Sequence, residues 1–150
     1  MQSKQYLCEK FKAIIDINKQ DRRGNTASMF AAQNNTNEKV IPYLYDKFKD
    51  TIDINKKNNN GYTAFMFAAE CNINESVIEY LYNRFKDKIN IYQQNNNGDT
   101  IFMLAAECNI NVKVIQYLYN TFKDTIDINK QNKDGNTALM LAVRKENIEV

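Results

Sequence analysis

From Ile52 to Lys88 the apolar positions change their spacing twice. Ile52 and Ile54 alternate with Asp53 and Asn55, the two-residue period of a short extended segment. The polar run KKNNNG follows and closes on Asn60-Gly61. That pair is a turn signal, because glycine tolerates the positive φ of a tight turn. Together the two stretches predict a protruding, hairpin-like finger. Thr63 then stands where a helix should begin, and its hydroxyl can cap the first free N–H groups. In AFMFAAEC, Phe65, Ala68 and Ala69 fall at i, i+3 and i+4. The segment is apolar almost all round, which predicts a helix buried on more than one side. NINE interrupts the pattern. VIEYLYNRFK resumes it, with Val77, Leu81 and Phe85 in one stripe and Ile78 and Tyr82 beside it, a second helix.

The whole pattern recurs. AAECNIN at 68–74 returns at 105–111, a step of 37 residues. Gly24, Gly61, Gly98 and Gly135 keep that step, and so do Thr26, Thr63, Thr100 and Thr137. Ile15, Ile52, Ile89 and Ile126 keep it, as do Met29, Met66, Met103 and Met140. A fixed period of this length marks a repeat array. Neither helix of a unit could bury its apolar face alone, whereas stacked copies bury a continuous core. The prediction is one all-α solenoid over 1–150 with short finger loops. Its full units are 15–51, 52–88 and 89–125, with a partial unit at 1–14 and a truncated one at 126–150.

The run G-x-T-A-x-M-x-A-A-x-x-x-N, then V-I-x-Y-L-Y, then I-D-I-N, resembles the ankyrin repeat over nearly the whole chain. Three departures matter. The family's unit is ~33 residues. Here one extra residue falls between the helices, since seven residues rather than six separate Ala69 from Val77. The other three fall after the second helix, nearly one helical turn, which predicts a longer second helix with Phe48, Phe85 and Phe122 packed under the added turn. The family's T-P-L-H tetrapeptide carries methionine in place of histidine in every unit. The hydrogen bonds of that histidine are lost, and apolar packing by methionine is expected instead.

The ends and the one proline refine this picture. Tyr6-Leu7-Cys8-Glu9-Lys10-Phe11-Lys12 matches Tyr43-Leu44-Tyr45-Asp46-Lys47-Phe48-Lys49, so 1–14 should be a second helix. Ser3-Lys4 replaces Val-Ile there, suggesting a cap with a polar outer face. Asn147 to Val150 stop where another second helix should begin, a cut edge. Pro42 should delay or bend the second helix of its unit.

Composition adds mostly exclusions. Hydrophobic residues make up 43%, enough for a buried interior, while a net charge of +2 gives no reason to expect nucleic acid. No apolar run approaches the ~20 residues of a membrane span, and MQSKQYLCEKFK has no apolar leader core. The abundant asparagines read as codon bias of an AT-rich genome. Asn34-Asn35-Thr36 and Asn74-Glu75-Ser76 match the glycosylation pattern by chance. Three cysteines without a C-x-x-C pair suit a reducing, intracellular setting, the cytoplasm of the producing cell or of a host. Stacked helices lie ~8–10 Å apart, too far for a disulfide between Cys71 and Cys108, so three free thiols are expected.

No histidine is present, so Ser-His and Cys-His catalysis and His metal ligation are absent from the menu. Glu70-Cys71 and Glu107-Cys108 would make poor metal sites. Gly61 and Gly98 lack phosphate-loop spacing and read as turn glycines. No catalytic residue, metal or cofactor is expected.

The remaining chemistry is a surface. The ankyrin resemblance implies a concave protein-binding face made of finger tips and first-helix ends. Carried over, it comprises Arg22, Arg23, Asn25, Gln33 and Asn34, then Asn59, Asn60, Tyr62, Glu70 and Cys71. It continues with Asn96, Asn97, Asp99, Glu107 and Cys108, then Lys133, Asp134, Asn136, Arg144 and Lys145. Acids in the middle and bases at both ends would suit a partner with a basic centre. Tyr62, aromatic where other units carry Asn or Asp, is the expected anchor. The expected function is a non-enzymatic module binding another protein, not nucleic acid or membrane. The alternative is a structural spacer of a longer chain with no partner of its own. A monomer is expected, with self-association through the C-terminal edge as the alternative.

Overall fold

A computed structural model describes residues 2–34, 39–108 and 110–146. They form α1 (Gln2–Phe11), α2 (Ala27–Asn34), α3 (Val40–Lys47), α4 (Ala64–Cys71), α5 (Glu75–Phe85), α6 (Ile101–Cys108), α7 (Val112–Phe122) and α8 (Ala138–Glu146). No strand occurs among the described residues. First helices α2, α4, α6 and α8 pack side by side in one row, and second helices α5 and α7 pack in a row behind them. This is the predicted all-α solenoid. Asn147 to Val150 lie outside the described residues, as do Asn35 and Thr36 of one glycosylation pattern.

Each first helix starts on its threonine. Thr63 Oγ1 accepts from Met66 N at 3.2 Å, and Thr26, Thr100 and Thr137 bond in the same way to Met29, Met103 and Met140. The methionines do more than pack. Thr26 N donates to Met29 Sδ at 3.4 Å and Thr100 N to Met103 Sδ at 3.5 Å. The expectation of purely apolar substitution is therefore corrected, because thioether sulfur is a weak acceptor.

The "polar break" between helices is built from asparagine. Asn74 and Asn111 cap α5 and α7 by accepting from Ser76 N and Lys113 N, both at 3.1 Å. Buried Asn72 donates to Ala32 O of the preceding unit at 2.8 Å and accepts from Asn74 N at 3.0 Å. α5 and α7 each run for 11 residues, and Phe48, Phe85 and Phe122 are buried under the extended turn as expected. α3 begins at Val40, two positions later in its unit than α5 in its own, with Pro42 in its first turn.

The alternating Ile-x-Ile segments face inward, with Ile17, Ile52 and Ile54 buried. The asparagine after each pair bridges to the following unit. Asn18 donates to Thr51 O at 2.7 Å and accepts from Asp53 N at 2.8 Å. Asn55 repeats this with Lys88 O at 2.6 Å and Asn90 N at 3.0 Å. The next position in the series is Tyr92, which has no carboxamide and stands exposed. These asparagines are connectors between units, a role that codon bias does not describe.

The fingers stack closely. Gly61 has φ +81°, and a Cβ there would sit 2.6 Å from Asn96 Oδ1 and 2.7 Å from Asn96 N. Glycine is thus required both by the left-handed conformation and by the approach of the next finger.

The N-terminal helix differs from the polar cap expected of it. Ser3 and Lys4 are exposed, but so are Tyr6, Leu7 and Phe11. α1 meets the array through half-buried Cys8 and through Tyr43, whose hydroxyl donates to Glu9 Oε1 at 3.3 Å. A cleft of about 620 Å³ opens between α1 and α2, lined by Leu7, Cys8, Ile17, Ala27 and Phe30 among others.

Candidate partner-binding face

The finger tips present Arg22, Arg23, Asn59, Asn60, Asn96, Asn97, Lys133 and Asp134, all exposed. Their backbone is locked from unit to unit. Asn59 N donates to Arg23 O at 3.0 Å, Asn96 N to Asn60 O at 3.0 Å, and Lys133 N to Asn97 O at 2.9 Å. The side chains of Asn59 and Asn96 also reach back, to Arg22 O at 3.1 Å and Asn59 O at 2.8 Å. Those two carboxamides hold the stack. Asn60 and Asn97 contribute backbone to it and are themselves exposed.

At the finger bases the picture changes. Asn25 and Asn136 are half-buried, and Asn25 Oδ1 accepts from Asn58 Nδ2 at 2.8 Å. Asp99 does not lie on the open face expected of it. It is buried, and its carboxylate accepts from Asn95 Nδ2 at 3.0 Å and Asn132 Nδ2 at 2.7 Å. The reason is visible one unit earlier. Where Asn58 finds Asn25, Asn95 meets Tyr62, and it turns to the carboxylate of its own unit.

Tyr62 is half-buried rather than free-standing. Its hydroxyl donates to Glu70 Oε1 at 2.9 Å, and its ring lies 5.0 Å from that of Phe67. Sequence reasoning did not single out Phe67, although its place two residues beyond Phe65, four after Thr63, put it on the helix side facing the finger base.

The helix ends form a row across the units. Gln33, Glu70 and Glu107 are half-buried, and Asn34, Cys71, Cys108, Arg144 and Lys145 are exposed. Asn34 Nδ2 donates to Gln33 Oε1 at 3.3 Å, and Gln33 Nε2 lies 4.0 Å from Cys71 Sγ. The Cys71 thiol donates to Glu70 Oε2 at 3.3 Å. Arg144 pairs with Glu107 at 2.7 Å, which neutralises that acid locally. The acidic centre therefore shrinks to Glu70, which forms no ion pair among the described residues.

Burial and the same carboxylate together raise the two thiols. Partial burial, then the Glu70 charge, pushes the Cys71 thiol up to about 12. Burial, then Glu70 and Glu107, pushes Cys108 up to about 11, while Lys145 pulls against them. Burial and Glu70 raise the Tyr62 hydroxyl as well. Both thiols stay protonated at neutral pH, the opposite of an activated nucleophile. All three cysteines are free. Among the described residues no group of three or more His, Cys, Asp or Glu could hold a metal ion.

A family model described as ankyrin repeats (3 copies) matches residues 2–93 and 74–150. The chain belongs to the ankyrin repeat family. A search of curated proteins returns no match. Ankyrin repeats serve in general as protein–protein interaction modules, typically without catalysis of their own. In this ankyrin array no helix of the described residues is long and apolar enough to cross a membrane.

Proposed function

We propose that this ankyrin array binds another protein through the concave face formed by its finger tips and first-helix ends. The observation that carries the reading is the finger ladder. Each tip is tied to its neighbour by a backbone bond of 2.9–3.0 Å, yet Arg22, Arg23, Asn60, Asn97, Lys133 and Asp134 remain exposed. A surface ordered before it meets a partner loses little entropy on binding. Tyr62 acts as part of a rigid wall with Phe67 and Glu70, and Glu70 supplies a central acceptor for a basic group. The setting is the inside of a cell.

The test is affinity capture from the source cell with a heat-denatured control, repeated with Glu70→Lys and with Arg22→Glu/Arg23→Glu. A partner enriched by the native chain and lost at least tenfold by either variant, at unchanged circular dichroism, supports the reading. Equal capture by all three would overturn the placement of the face. The spacer reading draws on the same ladder, which stiffens the array, and it is favoured if nothing is enriched over the denatured control.

A further inference from the structure

We infer that the partner met by the concave face presents an arginine, and that its guanidinium pairs with Glu70 as the chain's own Arg144 pairs with Glu107. The inference rests on the proposed binding face and names the group that the centre of that face receives.

Gln33, Glu70, Glu107 and Arg144 hold one position in successive units, each 37 residues after the last. Arg144 reaches back one unit, and its Nη2 lies 2.7 Å from Glu107 Oε1. The residue placed to do the same for Glu70 is Glu107, an acid. On the other side stands Gln33, which is uncharged and has its amide 4.0 Å from Cys71 Sγ. Lys145 lies near enough to Cys108 to favour its thiolate, yet the ion pairs among the described residues do not include one between Lys145 and Glu70. Glu70 and Glu107 are both half-buried and occupy equivalent places, and only Glu107 has its cation. A carboxylate that has given up part of its hydration without a counter-charge gains most from one that arrives.

Glu70 is also held ready. Tyr62 donates to its Oε1 at 2.9 Å and Cys71 to its Oε2 at 3.3 Å. The Cys108 thiol of the following unit is hydrogen-bonded to the same carboxylate. All three donors are neutral, so they orient the group and leave its charge in place. An ionised carboxylate offers about four acceptor positions, and thiols are weak donors that a charged N–H displaces.

The kind of cation follows from the chain's own pairs. Lysine serves where the pair is open, Lys113 with 67% of its side chain exposed against Glu75 with 37%. Glu107, at 28%, is the least exposed acid of the three ion pairs among the described residues, and it takes arginine. A guanidinium is more weakly hydrated than an ammonium and carries its donors in one plane, so it enters a half-buried seat between packed units at lower cost.

NMR titration of the isotopically labelled chain with acetyl-Gly-Arg-Gly-amide tests this, beside the same peptide with lysine or citrulline in the middle. The arginine peptide should move the amide signals of Tyr62, Glu70 and Cys71, and bind at least about threefold more tightly than the lysine peptide. The citrulline peptide, which has the shape without the charge, should move none of them. Glu70→Gln should abolish the shifts at an unchanged helical spectrum. Arg144→Gln should free Glu107 and create a second seat, with new shifts at Glu107 and Cys108. Equal binding of the lysine or citrulline peptide, shifts that survive Glu70→Gln, or a Glu70 that stays silent whether or not the freed Glu107 responds would each overturn the inference. Cellular capture lost in Glu70→Lys while the arginine peptide leaves Glu70 unmoved would sink the arginine and keep the face. Arginine bound at Glu70 while all variants capture equally would sink the face and keep the seat.

Discussion

The same four residues, Ile-Asp-Ile-Asn, stand at 52–55 and at 126–129, and they are buried differently. Ile52 and Ile54 are core, while Ile126 is half-buried and Ile128 is 45% exposed. The sequence is identical, so the neighbours make the difference. The unit 52–88 has a unit on each side, and the one beginning at Ile126 has a described neighbour on one side only. The core that runs from Ile17 to Phe122 is continuous, and Ala138 and Leu141 of α8 pack with Met103 beside Phe102, which also borders that core. The asparagine bridge that ties the first three units stops at Tyr92. In a quasi-one-dimensional stack, stability is a sum of unit and neighbour terms. The junction that lacks this bridge, at Tyr92, should therefore hold less firmly than those bridged by Asn18 and Asn55.

The largest contrast is between two leucines. Leu81→Ala should cost about 2–5 kcal/mol by leaving a core cavity, and Leu139→Ala, at a residue 72% exposed, should stay within about 0.5 kcal/mol. Urea denaturation of both variants measures this, and equal losses would erase the difference between middle and end.

The finger glycines come next. Gly61→Ala forces an L-residue to φ +81° and drives its Cβ into Asn96, a loss of about 2–4 kcal/mol. Gly135 has φ +78° but its nearest neighbour, Gln131 Nε2, is 3.9 Å away, so Gly135→Ala should lose only about 1 kcal/mol. A larger loss at Gly135 would contradict the stacked-finger account.

The asparagine bridge can be removed or extended. Asn55→Ala should cost about 1–2 kcal/mol. Tyr92→Asn should restore the missing bridge and raise stability by about 0.5–1 kcal/mol, seen as a higher urea midpoint. If Tyr92→Asn lowers the midpoint, the Tyr92 ring is contributing more than its exposure allows.

The smallest effect is chemical. Folded Cys71 and Cys108 ionise near 12 and 11, above the ~8.5 of an ordinary thiol. The stability tied to those shifts is present below pH ~8.5 and is lost as the pH climbs through the folded values. Iodoacetamide at pH 8 should label both thiols more slowly in the native chain than in urea. As the pH rises Cys108 should react before Cys71, and Lys145→Ala should delay Cys108. Mass spectrometry reads the order.

The period, the helix pairs and the buried Phe48, Phe85 and Phe122 were legible because apolar spacing reports which way a helix faces. The asparagine network was not, because a polar residue in a finger looks solvated and its partner lies 33 to 40 residues away. Its signal was present all the same. Asn18 and Asn55 recur at the repeat step, and so do Asn58, Asn95 and Asn132, which is more than composition requires. Asp99 was misplaced because the family's face was carried over position by position. The exchange of Asn for Tyr at 62 changed what Asn95 could bond.

The finger turn also governs how the chain ages. An asparagine followed by glycine loses its amide when the glycine nitrogen attacks the side-chain carbonyl and closes a five-membered ring. Asn60-Gly61 and Asn97-Gly98 are both of this kind. In the folded array those nitrogens are occupied, Gly61 N donating to Asn58 O at 2.9 Å and Gly98 N to Asn95 O at 3.0 Å. Ring closure would require the turn to open, and the next finger sits against it. The native protein should keep its amides over storage times that convert the denatured chain to aspartate and isoaspartate.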